Sequence, residues 1–207
     1  VVSLGTMRFQ QTWDPDITDM DQIDPDVQAN LVNILHHAII NLGINHIEGG
    51  QKHGCSELQI GAALKQLFSE KKIERRDLII QTKVSPIKEE TFRAIIEKSL
   101  SDFRVDYIDL LTIGGGLNMQ WAYDLVFNNP NGKNLIDVAK EYQAKGKIKH
   151  IGFSTHGQPE FIRQCIETGS FDYANIHYHA LGSYTASGGG ENGGNREIVR
   201  LLNQHDM

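Results

Sequence analysis

The chain has 207 residues, 40% of them hydrophobic and 22% charged, and its formal net charge at pH 7 is −6. This length predicts one domain over residues 1–207 with a sizeable core, and the acidic balance without a basic cluster argues against a nucleic-acid surface. No uninterrupted apolar run approaches the ~18 residues that a membrane span requires, so we expect a soluble protein.

Strand-like and helix-like patterns alternate along the chain. Short apolar runs bounded by turn residues predict strands at 4–7, 44–48, 78–83, 107–113, 149–153 and 173–177. Apolar residues at helical spacing predict helices at 27–39, 56–68, 91–103, 134–145, 159–168 and from 195 onward. The connection at 182–194 is rich in Gly, Ser and Asn, which predicts a flexible loop.

The first helix has two candidate N-caps. Asp26 directly precedes the apolar-periodic residues, and Asp24 stands before Pro25, which suits the first helical position. The sequence leaves both open, whereas Gly43 marks the point at which the helix stops.

The alternation indicates an α/β fold with a parallel sheet covered by helices. A doubly wound sheet would want a G-x-G-x-x-G loop after an early strand, and neither Gly49-Gly50 nor Gly114-Gly115-Gly116 has that spacing. A (β/α)8 barrel fits better, with about six of its eight units present, because eight units normally need about 250 residues. Both ends of the sequence therefore look like cuts in a longer protein.

Several short motifs occur together in a recognisable order. They are Ser3-Leu4-Gly5-Thr6-Met7, Leu42-Gly43-Ile44-Asn45-His46-Ile47-Glu48, Gly54-x-Ser56-Glu57, Gln81-Thr82-Lys83, Asp106-Tyr107-Ile108-Asp109-Leu110-Leu111 and Gly146-Lys147-Ile148-Lys149-His150-Ile151-Gly152-Phe153-Ser154. With them the chain resembles the aldo-keto reductase family over almost its whole length. The Met7-Arg8-Phe9-Gln10 start and Ser154-Thr155-His156 are most similar to a bacterial and plastid-type branch. The resemblance implies a (β/α)8 TIM barrel that reduces carbonyl compounds with NADPH.

The family carries out this reduction with four side chains. An aspartate pairs with a lysine, the lysine lowers the pKa of a proton-donating tyrosine, and a histidine orients the substrate. By resemblance, the four positions fall at Glu48, Lys83, His53 and Gly114 of this chain. Only Lys83 is the expected residue, so the catalytic positions implied here are Glu48, His53 and Lys83 with altered chemistry.

The departures differ in severity. Glu48 keeps the negative charge, so an ion pair with Lys83 is expected, either within a site or as a salt bridge that fixes two strands. A tyrosine (pKa ~10) is protonated at neutral pH, whereas a histidine has a pKa of ~6.5 and a nearby ammonium disfavours its cation. His53 is therefore expected to be neutral and a poor acid, or simply a surface-loop histidine. Gly114 removes the orienting imidazole, and three successive glycines predict an open, flexible mouth.

The resemblance also implies a cofactor. Gly5, Thr6, Ser154 and Thr155 match family positions that face the nicotinamide of NADPH. The family's phosphate and adenosine contacts come from its last two strand–helix units, which the six predicted units do not include. The implied NADPH site is therefore half a site.

The other candidate sites are weak. Cys55 and Cys165 form neither a disulfide framework nor a zinc pattern, which fits a reducing compartment such as the cytoplasm or plastid stroma. His177 and His179 share a strand face without a third ligand, so no metal site is predicted. We expect Trp121 and Tyr123 to pack on the barrel rather than to bind a ligand.

Two functions follow from these observations. The first is an aldo-keto reductase-like pseudoenzyme, with weak or lost NADPH-dependent activity and a structural or interaction role in a larger assembly. The alternative is an active NADPH-dependent oxidoreductase that reduces a small aldehyde or ketone in an altered site. The change at three tetrad positions favours the first.

Overall fold

The computed structural model describes residues 2–13, 17–115, 117–178 and 195–207. The strands are β1 Ser3–Gly5, β2 His46–Glu48, β3 Ile79–Val84, β4 Ile108–Gly114, β5 Ile148–Thr155 and β6 Tyr173–Ile176. The α-helices are α1 Pro25–His36, α2 Ser56–Ser69, α3 Glu89–Phe103, α4 Gln120–Phe127, α5 Leu135–Ala144, α6 Pro159–Glu167 and α7 Asn195–Gln204. Two 3-10 helices cover Met20–Gln22 and Arg75–Asp77, and a π-helix covers His37–Asn41. The loop predicted at 182–194 lies outside the described residues.

The strands follow the sheet order β1-β2-β3-β4-β5-β6. The pairs β1–β2, β2–β3 and β5–β6 are parallel. Helices separate the strands along the chain, because a parallel pair needs a crossover connection between its strands. The predicted α/β alternation is therefore confirmed. α4, which lies between β4 and α5, was not predicted.

Two compact units divide the chain, residues 1–83 with 94–110 and residues 84–93 with 111–207. In the first unit, the buried apolar cluster is formed mainly by α1, α2, β2 and β3: Leu31, Leu35, Ile39, Ile47, Ile60, Ala63, Leu64, Leu67, Ile73, Leu78, Ile80 and Phe103. Burying each large apolar side chain stabilises the fold by roughly 1.5–3 kcal/mol. The expectation of one domain over residues 1–207 stays a prediction.

Aromatic rings pack together in the second unit. Phe171 lies between Phe127 and Phe153, with ring centroids 5.8 Å and 4.9 Å away. Tyr123 of α4 packs on Phe127, with their centroids 4.7 Å apart. Trp121, one position before Ala122 on the same helix, is 54% exposed, so the prediction that it packs against the fold is wrong. The helix turns it outward because Ala122 and Val126 occupy the buried face.

The structure decides between the two candidate caps of α1. The Asp24 carboxylate accepts hydrogen bonds from the backbone nitrogens of Asp26 (2.8 Å) and Val27 (3.3 Å), and Pro25 takes the first helical position. Gly43 ends this region with a φ of 68°, in the left-handed region that favours glycine. Among the described residues, each helix is too short or too polar to cross a bilayer.

Candidate active site

Strand register places the predicted catalytic positions on one face of the sheet. Glu48, the last residue of β2, pairs with Gln81 of β3. Side chains alternate between the two faces of a strand, so Lys83 lies on the same face as Gln81, which precedes it by two residues. His46 lies on this face too, and its Nε2 is 2.7 Å from the Gln81 Oε1. The register therefore aligns the acid and the amine where both strands end.

Glu48 and Lys83 form a direct ion pair. Their side chains are 17% and 27% exposed, so water reaches the pair from one side only. The carboxylate thus retains an ammonium partner, as the sequence predicted. This partly exposed ion pair links β2 to β3 and leaves charged groups accessible to solvent.

A tight turn after Glu48 brings His53 back over the strand ends. The backbone nitrogen of Gly49 donates to the Gln81 carbonyl (2.8 Å), and that of His53 donates to the Gly50 carbonyl (2.9 Å). A Cβ added at Gly50 would lie 3.1 Å from the His53 Cε1 and 3.4 Å from the Lys83 Cβ. Gly50 therefore allows the imidazole and the lysine stem to approach each other closely.

The imidazole of His53 is held neutral at pH 7. Burial lowers its pKa most, the Lys83 ammonium lowers it further, and the Glu48 carboxylate opposes both. Its Nδ1 is buried without a hydrogen-bond partner among the described residues. These surroundings disfavour the imidazolium form of the ring. His53 is therefore half-buried beside the ion pair as a neutral group.

A cavity of about 290 Å³ opens beside these groups. Its lining is Gly5, Thr6, Met7, Arg8, Glu48, His53 and Lys83. The volume lies near the lower end of the ~300–1,000 Å³ that small-molecule sites occupy. An ion pair, an imidazole and the Arg8 guanidinium at one cavity can orient and polarise a small polar molecule.

Comparison with known proteins shows the family of this chain. The model of the aldo/keto reductase family matches residues 1–206. This chain belongs to the aldo/keto reductase family. It is 28% identical over 120 residues to aldo-keto reductase family 1 member C15 of Rattus norvegicus, a match that spans 56% of this chain and 37% of that protein. It is 26% identical over 120 residues to dihydrodiol dehydrogenase 3 of Bos taurus, again over 37% of that protein.

Solved structures of aldo-keto reductases share the fold. An aldo-keto reductase from Klebsiella pneumoniae in complex with NADPH superposes with a TM-score of 0.67 at 17% identity, over 99% of this chain and 60% of that one. An aldose reductase from Giardia lamblia gives a TM-score of 0.64 at 20% identity, over 99% of this chain and 62% of that one. The predicted α/β fold of the (β/α)8 aldo-keto reductase type is thereby confirmed. The assignment to a bacterial and plastid-type branch stays a prediction.

The position that the resemblance implies for the orienting histidine, Gly114, is closed to side chains. Gly114 ends β4 and is buried. A Cβ added there would lie 2.7 Å from the Ser154 Cβ and 2.9 Å from the Ser154 carbonyl oxygen. The expectation of an open mouth is therefore wrong at Gly114, because Ser154 fills the space in which an imidazole would begin.

Two of the cofactor positions implied by the aldo-keto reductase resemblance lie in the first unit. The Thr6 side chain is buried, and its Oγ1 donates to the Glu48 carbonyl oxygen at 2.8 Å. Gly5 is exposed, and a Cβ added there would meet nothing within 4 Å. Thr6 thus ties β1 to β2, while Gly5 offers only backbone.

The other two positions lie in the second unit. Thr155 is buried, and its Oγ1 accepts a hydrogen bond from the Gly157 backbone nitrogen at 2.9 Å. Ser154 is half-buried against Gly114. Each threonine hydroxyl makes one of these hydrogen bonds, and a hydroxyl has one donor and two acceptor sites. Both side chains can therefore still form a hydrogen bond to a ligand such as the nicotinamide of NADPH.

A second carboxyl near the turn escaped the sequence reasoning. Glu57, in the first turn of α2, is only 1% exposed. Burial raises its pKa to about 7, against hydrogen bonds from Thr82, Ser99 and Gln51 that lower it. A signal was present, because Glu57 stands three and seven residues before the buried Ile60 and Leu64 and so shares their inward face.

The described residues hold no group of three or more His, Cys, Asp or Glu placed to bind a metal. His177 is exposed at the end of β6, and His179 lies outside the described ranges. Cys55 and Cys165 are both buried free thiols. Burial raises the pKa of the Cys165 thiol to about 12, which leaves it unreactive.

Proposed function

We propose that this chain is an aldo-keto reductase-like protein whose NADPH-dependent carbonyl reductase activity is weak or lost, and whose scaffold serves a structural or interaction role. The observation that carries the proposal is the state of His53 beside Lys83. The residue at the proton-donor position is a neutral imidazole, whose pKa is lowered first by burial and then by the Lys83 ammonium, the group that would activate a tyrosine.

The chemistry of a histidine in place of the family's tyrosine supports this proposal. Carbonyl reduction needs a proton on the developing oxyanion, and a donor works best when it is protonated at the working pH. An ammonium stabilises a phenolate, so it makes a tyrosine a better acid, but it discourages the imidazolium that His53 would need. Losing a matched general acid typically lowers the rate by ~10²–10⁴-fold.

A further observation supports loss of activity. The closed space at Gly114 excludes an orienting side chain from that position. The changes at His53 and Gly114 affect different requirements of the reaction, namely protonation and substrate orientation.

An active oxidoreductase with an altered site is the second candidate. The observation in its favour is the Glu48–Lys83 ion pair at a cavity of about 290 Å³. A small aldehyde or ketone placed there would be polarised by the imidazole, without a strong acid. NADPH and a carbonyl substrate are the ligands that this reading requires.

A titration and an assay on the whole chain separate the two candidates. NADPH binding is followed by fluorescence, and aldehyde reduction is measured for the wild type and for His53→Tyr. We expect little turnover from the wild type and a rise of about 10²-fold in His53→Tyr, the lower limit for restoring a general acid.

Lysine variants provide the opposing outcome. Lys83→Ala removes the ion pair, and Lys72→Ala removes an exposed lysine outside the site. If the wild type binds NADPH and turns over, and Lys83→Ala alone lowers the turnover by ~10²-fold or more, the site is active and the proposal is wrong. Thermal unfolding of each variant shows that the fold is retained.

A further inference from the structure

The buried Glu57 carboxyl is surrounded by groups from three parts of the first unit. Thr82 of β3 donates its hydroxyl to the Glu57 Oε1 at 2.5 Å, and Ser99 of α3 donates a second hydrogen bond. Both partners are fully buried and neutral. No cation contacts this carboxyl in the described residues, in contrast to Glu48.

Residues 49–53, here called the glycine segment, cover Glu57 on a third side. A Cβ added at Gly49 would lie 2.7 Å from the Phe103 Cζ and 3.2 Å from the Glu57 Cγ, so the backbone of the segment packs directly on the carboxyl side chain. The Gln51 amide nitrogen donates to the Glu57 Oε2 and, at 3.2 Å, to the Asp102 Oδ2. The segment therefore covers Glu57, and the Gln51 side chain links it to the carboxyl, in addition to the hydrogen bond from the Gly49 backbone nitrogen to the Gln81 carbonyl.

The charges around Glu57 do not compensate its ionisation. Asp102 on α3 repels a second negative charge, and its own carboxylate is paired with Lys98 at 2.6 Å on the outer side. Lys83 follows Thr82 on β3 but is engaged by Glu48. The ionised carboxylate thus has only neutral donors around it, and water would solvate it better.

We propose that the glycine segment is a pH-sensitive cover, which is closed over Glu57 when that carboxyl is protonated and opens as the carboxyl ionises. Closing the segment removes water from the carboxylate, and this desolvation penalises the charged form only. Opening the segment admits water and relieves the penalty. By linkage, a rise in pH therefore favours the open segment.

Opening changes the surroundings of the candidate active site. His53 ends the glycine segment, and Glu48 immediately precedes it. When the segment opens, the imidazole moves away from Lys83 and becomes hydrated. Whether the glycine segment is closed or open therefore determines the position and hydration of His53 at the cavity. This inference goes beyond the proposed function, since it holds whether or not the chain reduces carbonyls.

Hydrogen exchange of the backbone amides measures the opening directly. Exchange of the amides at 49–53 is recorded by mass spectrometry at pH 6 and pH 8, and corrected for the intrinsic pH dependence of exchange. A closed-state pKa of about 7 and an ordinary value of 4.5 in the open state predict that ionisation of Glu57 increases the opening constant about tenfold over this interval.

The variant Glu57→Gln isolates this contribution. His53 titrates in the same segment, and its protonation favours opening at low pH, since burial lowers its pKa. Glu57→Gln keeps His53, so the wild-type ratio divided by the variant ratio should be about tenfold. The matched control Glu97→Gln removes an exposed carboxyl of α3 and should behave as the wild type.

Gln51→Ala tests the link that the Gln51 side chain makes. This variant removes the amide bridge while leaving Glu57 in place, so the segment should open more at both pH values and should still open further as the pH rises. An equal pH dependence in the wild type and Glu57→Gln would overturn the proposal, as would unchanged protection in Gln51→Ala. Because the readout needs no turnover, these outcomes are independent of the reductase assay.

Discussion

Two glutamates on either side of the glycine segment meet opposite environments. Glu48 ends β2, is partly exposed and faces the ammonium of Lys83. Glu57 lies in the first turn of α2, is buried and, within the described ranges, receives hydrogen bonds from uncharged groups only. The two residues lie nine positions apart in one motif-rich stretch, and burial raises the pKa of Glu57 to about 7.

The contrast shows that the environment decides the role of a carboxyl. Coulombic attraction to an ammonium keeps a carboxylate ionised, whereas desolvation without a cation makes it titrate near neutral pH. Glu48 lines the cavity as the partner of the Lys83 ammonium. Glu57 serves as a group whose charge varies, and the following predictions alter one side of this contrast at a time.

The largest effect is expected for Glu57→Gln on the pH dependence of stability. The folded pKa of about 7 exceeds the ordinary 4.5, so the native state binds more protons than the unfolded state between these values. Wild-type stability therefore falls as the pH rises through this window, and the full loss of about 3 kcal/mol is present above it. Urea unfolding of both proteins at several pH values measures this difference. Parallel curves would refute the buried-charge assignment.

Gly49→Ala should disturb the packing around Glu57. Its new methyl group would lie 2.7 Å from the fully buried ring of Phe103, and overpacking of this kind costs about 1–3 kcal/mol. Gly5→Ala provides the control, because a Cβ there meets nothing within 4 Å. Thermal unfolding should separate the two variants, and equal stabilities would show that the glycine segment is not tightly packed.

Lys83→Met breaks the ion pair on the Glu48 side. The pair is partly exposed, so we expect a loss of about 1 kcal/mol, between the values for surface pairs and buried pairs. Arg76→Met removes a far more exposed partner of Glu74 and should cost less. Denaturant unfolding compares the two, and the reverse order would mean that the Glu48–Lys83 pair contributes little.

The smallest expected effect concerns the titration of His53. Removing the Lys83 ammonium eliminates one of the two causes that lower its pKa and leaves the opposing effect of Glu48, so the pKa of His53 should rise in Lys83→Met. Lys83→Arg keeps the charge and should keep the lowered value. NMR titration of the imidazole follows both variants, and a pKa that stays unchanged in Lys83→Met would leave burial as the sole cause.

Local patterns were sufficient to predict much of the fold. The apolar runs of β3 and β5 and the periodic helices α2, α3 and α5 appear within a few residues of their predicted positions. α4 was not predicted, because this short helix follows a glycine-rich stretch that reads as a loop. Trp121 was wrongly expected to be packed. Local pattern gives an element's type, whereas exposure depends on which face the neighbouring elements cover.

The sequence by itself determined the strand–helix alternation, which follows from the periods of strands and helices. The pairing of Glu48 with Lys83 was implied by the resemblance of the sequence motifs to the aldo-keto reductase family. Only the tertiary structure decided that Glu57 is buried without a cation and that Ser154 closes the space at Gly114. Desolvation and steric exclusion depend on groups brought together from distant positions, and these effects determine the chemistry still available at this site.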